Sequence, residues 1–352
     1  MFEEFLDNKD GWLNGKGPQS DVIISSRMRL ARNIDNFPFP RKADVSQKRE
    51  IIEMVKENCR QLNPVDDVSF VNMDEVVDLD KQFLLERHLI SHQHAQSAKG
   101  RGFCSTASEV FSIMVNEEDH LRMQVIMSGF DLKNAWEMIN SVDDELSRRL
   151  VFSFSSQFGY LTSCPTNVGT GLRASCMLHL PALVLTKRMN KILEFLTKLS
   201  FATRGLFGEG THALGNFFQI SNQASLGLSE EEIIDNLSGV VNQVKEQEMV
   251  SREILLKKYR HSFEDSVWRS LGILSNCRLI SSKEALSHLS MLCIGTDLGI
   301  IKGIDREVIN TLFINIQPAH LQKIESKVLS EKERDYIRAL VLRRSLKENS
   351  AQ

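Results

Sequence analysis

Residues 159–175 read GYLTSCPTNVGTGLRAS and hold the densest set of chemically able side chains in the sequence. Gly159, Gly169 and Gly171 can take backbone angles that other residues avoid, and Pro165 fixes φ at its own position. Between them stand the Cys164 thiol and the small polar side chains of Thr162, Ser163, Thr166 and Asn167, followed by Arg173. Such a loop can bring backbone N–H groups close to an anion and end in a guanidinium that grips it. The same composition also fits a plain Gly/Pro turn around a small buried cysteine, and the loop alone does not separate the two. A second set lies near the N-terminus. Val22, Ile23 and Ile24 lead a run from Asp21 to Leu30 that reads as a strand, which puts Arg27 and Arg29, two apart, on one face. Two guanidiniums on one face repel each other unless an anion lies between them; the alternative is a solvated strand face.

Three other stretches bear on that choice: Ser25-Ser26-Arg27-Met28-Arg29, Asn116-Glu117-Glu118-Asp119-His120-Leu121-Arg122, and Thr203-Arg204-Gly205-Leu206-Phe207-Gly208-Glu209-Gly210-Thr211. Taken in chain order with CPTNVGTGLRAS, they resemble the catalytic domain of the phosphagen kinases, the family of arginine and creatine kinases, over roughly residues 21–250. The phrases LTSCPTNVGTG, LPALVLT, NFFQISNQ and RDYIRA resemble the bacterial protein arginine kinase branch of that family.

The resemblance implies a set of roles. Arg27, Arg29, Arg122, Arg173 and Arg204 would surround the phosphates of ATP, with Mg²⁺, and His88 would lie against the nucleotide. Arginine suits this because it stays charged and binds phosphate through two parallel donors. Phosphoryl transfer is mostly positioning and charge stabilisation. The sequence contains no GxxxxGK[ST] and no GxGxxG loop, so phosphate binding falls to side chains. An acceptor guanidinium has a pKa of about 12.5 to 13.8 and is a poor nucleophile while protonated. A pair of carboxylates can grip two of its nitrogens and take one proton. By the resemblance these are Glu118 and Glu209, with Glu209 as the expected base. Cys164 would face the same guanidinium, where a thiolate would steer and polarise it. No residue is expected to ligate a metal directly. His212 stands where the family usually carries an acidic residue, which bears on loop geometry and rate.

The implied reaction is transfer of the ATP γ-phosphoryl group to arginine in proteins, marking them for degradation or regulation. Phosphagen kinases for small guanidino compounds carry a helical lid of about a hundred residues, the size of a small domain, ahead of their first Arg-x-Arg strand. Here 26 residues precede Arg27 (27 − 1), so a protein-borne arginine is the expected acceptor. The runner-up is a free-arginine kinase, and the rival from another class is a catalytically weak adaptor that binds phosphoarginine. Near the C-terminus, Arg334 and Arg338 are four apart and share a helical face, with Asp335 beside them. A solvated charged face is the plain reading of these three. The resemblance makes them an allosteric phosphoarginine pocket, in which the two arginines take the phosphate and Asp335 pairs with the guanidinium. It also implies a homodimer, a zinc-binding activator protein and a Clp-type chaperone–protease as partners.

The expected fold is α+β: a catalytic domain with a largely antiparallel sheet flanked by helices, then a mostly helical domain. The expected boundaries are a lead-in at 1–20, the catalytic domain at 21–259 and a helical dimerisation and phosphoarginine-binding domain at 260–352. Helical spacing appears over Ala43–Leu62, Asp80–Leu89, Asp131–Leu150 and Lys187–Leu199. Strands are expected at Val110–Val115, His120–Met127 and Phe217–Ile220, and a mobile loop at Ser91–Ser108. Met177–Thr186 is apolar without an assigned element. Ser229 with Glu232, Ser281 with Glu284, and Ser330 with Glu333 have the spacing of capping boxes. Asp297-Leu298-Gly299 reads as a turn.

Composition sets outer bounds. A 42% hydrophobic share over 352 residues can bury one large core and a smaller one. A net charge of −3 argues against general nucleic-acid binding, and no apolar run approaches the ~20 residues of a membrane span. The acidic N-terminus lacks a signal-peptide core. Cys59, Cys104, Cys164, Cys176, Cys277 and Cys293 form no CxxC pair, which fits reduced thiols and a cytoplasmic location.

Overall fold

The computed structural model describes residues 2, 4–8, 11–62, 65, 67–96, 99–205 and 214–350. Chain order begins with α1 (Glu4–Asp7), β1 (Ile23–Arg32), α2 (Val45–Cys59), β2 (Val68–Asn72), α3 (Asp78–Glu86) and α4 (His92–Gln96). Next come β3 (Gly102–Thr106), β4 (Phe111–Val115), β5 (Leu121–Ser128) and α5 (Leu132–Ser147). The hairpin β6 (Phe154–Ser155) and β7 (Gly159–Tyr160) precedes β8 (Leu172–His179), α6 (Pro181–Leu185), α7 (Met189–Lys198), β9 (Phe201–Arg204) and β10 (Phe217–Asn222). Helices complete the chain: α8 (Glu230–Lys258), α9 (Arg260–Asn276), α10 (Ser282–Asp297), α11 (Arg306–Asn315), α12 (Pro318–Ile324) and α13 (Glu331–Ser350).

Eight strands form one antiparallel sheet in the order β2-β3-β4-β5-β1-β8-β10-β9. β1 is central because it has neighbours on both sides, and directly opposed residues of an antiparallel pair point to the same face. Met28 and Leu30 therefore share a face with Val125 and Met123 of β5 and with Ala174 and Leu172 of β8. That face is dry: α2, α5 and α8 cover it and complete the first core with Ile51, Val55, Ile139, Val142, Val241 and Val244.

The second core is built by α9, α10, α11 and α13. It also takes in Trp12, Leu13, Ile24, Ile126 and Phe217, so the C-terminal helices close one end of the other sheet face. The N-terminal stretch is not loose there, since Trp12 and Leu13 are buried. A third cluster joins Phe83, Leu84, Phe103 and Met114 to Ala319 of α12.

Several local expectations are met in detail. Ser229 Oγ accepts the Glu232 amide N–H at 3.1 Å, and Glu232 Oε2 accepts that of Ser229 at 2.8 Å, opening the 29-residue helix α8. Ser330 and Glu333 repeat this at α13, with the Ser330 amide on Glu333 Oε2 at 2.8 Å. Asp44 and Gln47 form a further capping box at α2. The stretch Ser91–Ser108 departs from expectation, since it contains α4 and the fully buried strand β3. Its GFCST segment is short and half polar, and it holds as a strand because β2 and β4 pair with it on both sides. β2, β8 and β9 were likewise not expected, and the apolar Met177–Thr186 divides into the end of β8 and α6.

Candidate functional site

The face of the sheet opposite the first core carries the arginines. Arg29 of β1 is opposed by Gln124 of β5 and Arg173 of β8, while Arg27 is opposed by Ile126 and Ser175. Arg122 opposes Ala31, two residues beyond Arg29. Ser175 opposes Ser221 of β10, and Gln219 of that strand opposes Arg204 of β9. Pleat parity thus brings all five guanidiniums to one surface from four strands. They line a cleft of about 1160 Å³ together with His88, Glu118 and Cys164.

Among the described residues the cleft is strongly electropositive. Arg29 is buried, and its Nε and Nη2 have no hydrogen-bond partner among the described residues. Burial first, then repulsion from Arg27, Arg122, Arg173 and Arg204, pulls Arg29 well below the usual arginine range. Burial and the charges of Arg122, Arg173 and Arg204 lower Arg27 to about 9. Arg173 Nη2 donates to Ser221 Oγ at 3.1 Å. A buried polar group without a partner is costly, and a buried cluster of like charges more so. A polyanion in the cleft resolves both.

Arg122 is bound by a carboxylate: its Nη1 lies 2.6 Å from Glu117 Oε2. Burial by itself would raise the Glu117 carboxyl, but Arg122 and the Ser91 hydroxyl donating to it bring it down to about 2. Glu117 is therefore committed to orienting Arg122. Glu118, next in sequence, is half-buried at the cleft wall. Burial, then Asp119, raises its pKa. Asp119 takes a third role: its Oδ1 accepts Asn33 Nδ2 and the Ser163 amide, both at 2.7 Å. Ser163 Oγ donates to the Glu118 carbonyl at 2.7 Å. The acidic turn and the cysteine loop are thus stitched together, and both Cys164 and Glu118 line the cleft. Cys164 Sγ lies 3.1 Å from Thr166 Oγ1, and its carbonyl accepts the Thr162 hydroxyl.

The loop is anchored at both ends. Gly159 (φ 76°) and Gly169 (φ 112°) approach so closely that a Cβ on Gly159 would meet the Gly169 carbonyl oxygen at 2.5 Å. Arg32 holds the other end: its Nη1 donates to the Thr170 carbonyl at 2.9 Å, and its guanidinium lies 3.5 Å over the Tyr160 ring centroid. Its own charge is met by Asp143, through Nε at 3.0 Å and Nη2 at 2.7 Å. Sequence reading passed over Arg32 and Glu117. Strand parity carries a signal for the first: Arg32 is five positions from Arg27, so it faces the dry side, where a charge needs a partner.

His88 follows α3 with a left-handed φ of 61°. Its ring packs edge-on to Trp12 at 5.5 Å, and its carbonyl accepts Gln124 Nε2 at 2.9 Å. Burial, then Arg27, lowers its pKa to about 3, so the ring is neutral at the cleft wall. Glu209 and His212 lie outside the described residues. Arg334, Asp335 and Arg338 sit together at the start of α13, apart from these cleft residues. Arg338 is buried, with Nε donating to the Ile316 carbonyl at 2.9 Å and Nη1 to the Ile280 carbonyl at 2.8 Å and to Asp335 Oδ1 at 2.5 Å. Arg334 Nη1 donates to the Leu329 carbonyl at 3.0 Å.

Among the described residues, His179, Cys293 and Asp297 form the cluster with metal-ligand spacing. Asp297 there is engaged by Arg306 at 2.5 Å and by Arg252 at 3.5 Å, and the cluster is not part of the cleft lining. No described helix is long and apolar enough to cross a membrane.

A family model described as ATP:guanido phosphotransferase, C-terminal catalytic domain, matches residues 50–251. A second, described as the protein-arginine kinase McsB C-terminal domain, matches residues 260–352. The protein-arginine kinase of Halothermothrix orenii is 46% identical over 339 residues, covering 96% of this chain and 97% of that one. That of Brevibacillus brevis is 44% identical over 348 residues, covering 98% of each. Among solved structures, the duplicated taurocyamine kinase from Schistosoma mansoni with bound transition state analog components superposes with a TM-score of 0.60 at 26% identity. That match covers 66% of this chain and 33% of the duplicated one. A lombricine kinase superposes at 0.59 and 24% identity, covering 67% of this chain and 68% of that one, and attests the fold. With matches in sequence over almost the whole chain and in structure over about two thirds of it, the protein belongs to the ATP:guanido phosphotransferase family.

Proposed function

We propose that the protein is a protein arginine kinase, transferring the γ-phosphoryl group of ATP to the guanidino group of arginine in protein substrates. The observation that carries this is the single sheet face on which Arg27, Arg29, Arg122, Arg173 and Arg204 converge, with Arg29 buried and two of its donors unmatched among the described residues. Relatives named protein-arginine kinase, matched end to end, support the choice of acceptor.

In this reading the arginines hold the triphosphate, and the neutral His88 ring borders the nucleotide. Glu118 grips one edge of the acceptor guanidinium, Cys164 faces it from the stitched loop, and Glu209 takes the proton as the N–P bond forms. Magnesium, bound with the nucleotide, would shield phosphate charge. Magnesium keeps several waters and takes phosphate oxygens, so no side chain need ligate it directly. Arg334, Asp335 and Arg338 form the phosphoarginine pocket of a helical domain at 260–352. That pocket is partly self-satisfied, since Asp335 already holds Arg338. A homodimer, a zinc-binding activator, a Clp-type protease and a cytoplasmic location belong to the same reading.

The test is mass spectrometry of a protein substrate incubated with the purified chain and MgATP, with no acid at any step. Acid-labile phosphate on arginine is expected. Acid-stable phosphate on serine, threonine or tyrosine would refute the reading, and rapid phosphorylation of free arginine instead would move the acceptor to the small amino acid.

A further inference from the structure

Residues 151–172 and 214–229 carry no charged side chain and no histidine, in a chain of which 25% is charged. The first run holds the β6–β7 hairpin and the cysteine loop, and the second holds β10 and the turn after it. The two runs meet. Ser225 pins the turn to the loop: its Oγ donates to the Val168 carbonyl at 3.0 Å, with the Thr166 carbonyl at 3.3 Å. Asn222 ties the same turn to β8, accepting the Ala174 amide N–H at 2.9 Å and donating to the Leu172 carbonyl at 3.0 Å. Gly169 lies between hairpin and turn. Its carbonyl accepts the Tyr160 amide N–H at 2.8 Å on one side, and on the other a Cβ on it would meet Leu226 Cα at 3.0 Å.

Apolar side chains stand out from this neutral surface. Phe154 and Phe158 of the hairpin and Leu226 and Leu228 of the turn are between 42% and 62% exposed. The Phe154 ring is held edge-on to Tyr160 at 5.2 Å. One exposed leucine needs no explanation, whereas apolar side chains gathered around a single loop form a patch. The loop they surround opens on the cleft, where Cys164, Thr166 and Asn167 are lining residues. Thr166, whose carbonyl Ser225 approaches, is also the residue whose Oγ1 lies 3.1 Å from Cys164 Sγ. Gln223 lines the cleft too and stands three residues before Leu226, a span of at most about 11 Å. The patch therefore borders the mouth of the cleft beside Cys164.

We propose that this neutral apolar rim is the docking surface for the polypeptide on either side of the acceptor arginine, and that it selects arginines with apolar, uncharged neighbours. The proposal rests on the protein-arginine reading of the cleft. An acceptor guanidinium that reaches Cys164 leaves its own backbone outside, over the loop. Three or four residues on each side of it cover about 10–14 Å of extended chain, the reach of the rim. A charged neighbour laid there sheds water against a surface that offers it no counter-charge. A leucine or phenylalanine neighbour instead buries apolar area against Phe158 and Leu226. Free arginine has no neighbours and gains nothing from the rim.

The test is steady-state kinetics of the full chain with MgATP on two unstructured polypeptides of equal length and net charge, each with a single arginine. One carries leucine and phenylalanine close to that arginine on both sides, and the other carries serine there. The wild type is expected to show a KM about tenfold lower for the apolar polypeptide, from partial burial of one or two side chains. Phe158→Ser combined with Leu226→Ser is expected to raise that KM to the value for the serine polypeptide. Its kcat, its KM for ATP and its KM for the serine polypeptide should stay within about twofold of the wild type. A merely structural role would lower kcat on both polypeptides alike. Equal KM values in the wild type, or discrimination that survives in the double variant, overturns the proposal. Should the double variant prove unfolded by circular dichroism, Phe158→Ser alone carries the same expectation at about threefold. If neither polypeptide gains acid-labile phosphate on its arginine, the protein-arginine reading fails and takes the proposal with it.

Discussion

Replacing Arg29 with methionine should stabilise the nucleotide-free protein while removing its response to nucleotide. Arg29 is 7% exposed, and two of its donors are unmatched among the described residues. Four other arginines repel it, and Glu117 compensates only Arg122 among them. Exchanging a buried, under-compensated charge for an apolar side chain of similar length typically stabilises by about 1–4 kcal/mol. Taking about 2 kcal/mol, at roughly 2–4 °C per kcal/mol for a domain of this size, Tm should rise by about 4–8 °C. Nucleotide binding should invert the order. MgADP at a hundred times its Kd stabilises the wild type by about 2.7 kcal/mol, and Arg29→Met forfeits most of that. Scanning calorimetry without and with MgADP should therefore show the two melting curves exchanging places. The pH dependence has a definite sign. Arg27, in the same cluster, has its folded pKa depressed from 12.5 to about 9, so the folded state holds fewer protons than the unfolded state between those values. The strain is fully present below pH 9 and is relieved as pH rises through that window. A lower Tm for Arg29→Met in the absence of nucleotide would show that the arginine is structural and refute the reasoning. An undiminished MgADP shift would do the same for the phosphate assignment.

Other expectations follow from the same geometry. Glu117→Gln should destabilise by about 2 kcal/mol or more at neutral pH, since it strips a partly buried arginine of its partner. Because Glu117 titrates at about 2 rather than 4.5, that contribution is complete above pH 4.5 and is lost as pH falls through about 2; an unchanging gap in acid melts would argue against an ionised pair. Gly171→Ala should cost more than about 1 kcal/mol. The position has φ 70°, and a Cβ would sit 2.7 Å from the Ala31 carbonyl oxygen, which urea denaturation can test. Arg173→Ala and Arg204→Ala should each weaken nucleotide binding by about 1.5–3 kcal/mol in calorimetry. Glu209→Gln should abolish turnover with nucleotide affinity nearly unchanged, and wild-type activity in that variant would remove Glu209 as the base.

Local chemistry was legible without coordinates. Arg27 and Arg29 share a face because strand parity is a property of the chain alone, and Ser229 with Glu232 start α8 because a cap needs four consecutive residues and nothing else. The motifs carrying Arg122, Cys164 and Arg173 were visible as residue types at fixed spacing. Tertiary structure decided what those residues meet. Parity says which face an arginine occupies but not which strand lies beside it, so the expected convergence of the five arginines rested on the resemblance and not on spacing. β3 was read as a loop because its buried GFCST segment has no apolar period; pairing on both sides, not side-chain pattern, holds it. Glu117, Glu118 and Asp119 are adjacent and chemically alike. One orients Arg122 and takes the Ser91 hydroxyl, one faces the cleft, and one pins Ser163 and Asn33; Ser91, Ser163 and Asn33 lie 26, 44 and 86 positions away, beyond what local spacing reveals. The Glu86 carboxylate at the end of α3 is the extreme case: it accepts the amide N–H groups of Ala319 and His320, 233 and 234 positions away, and a carboxylate at the end of a helix carries no mark of a contact that distant.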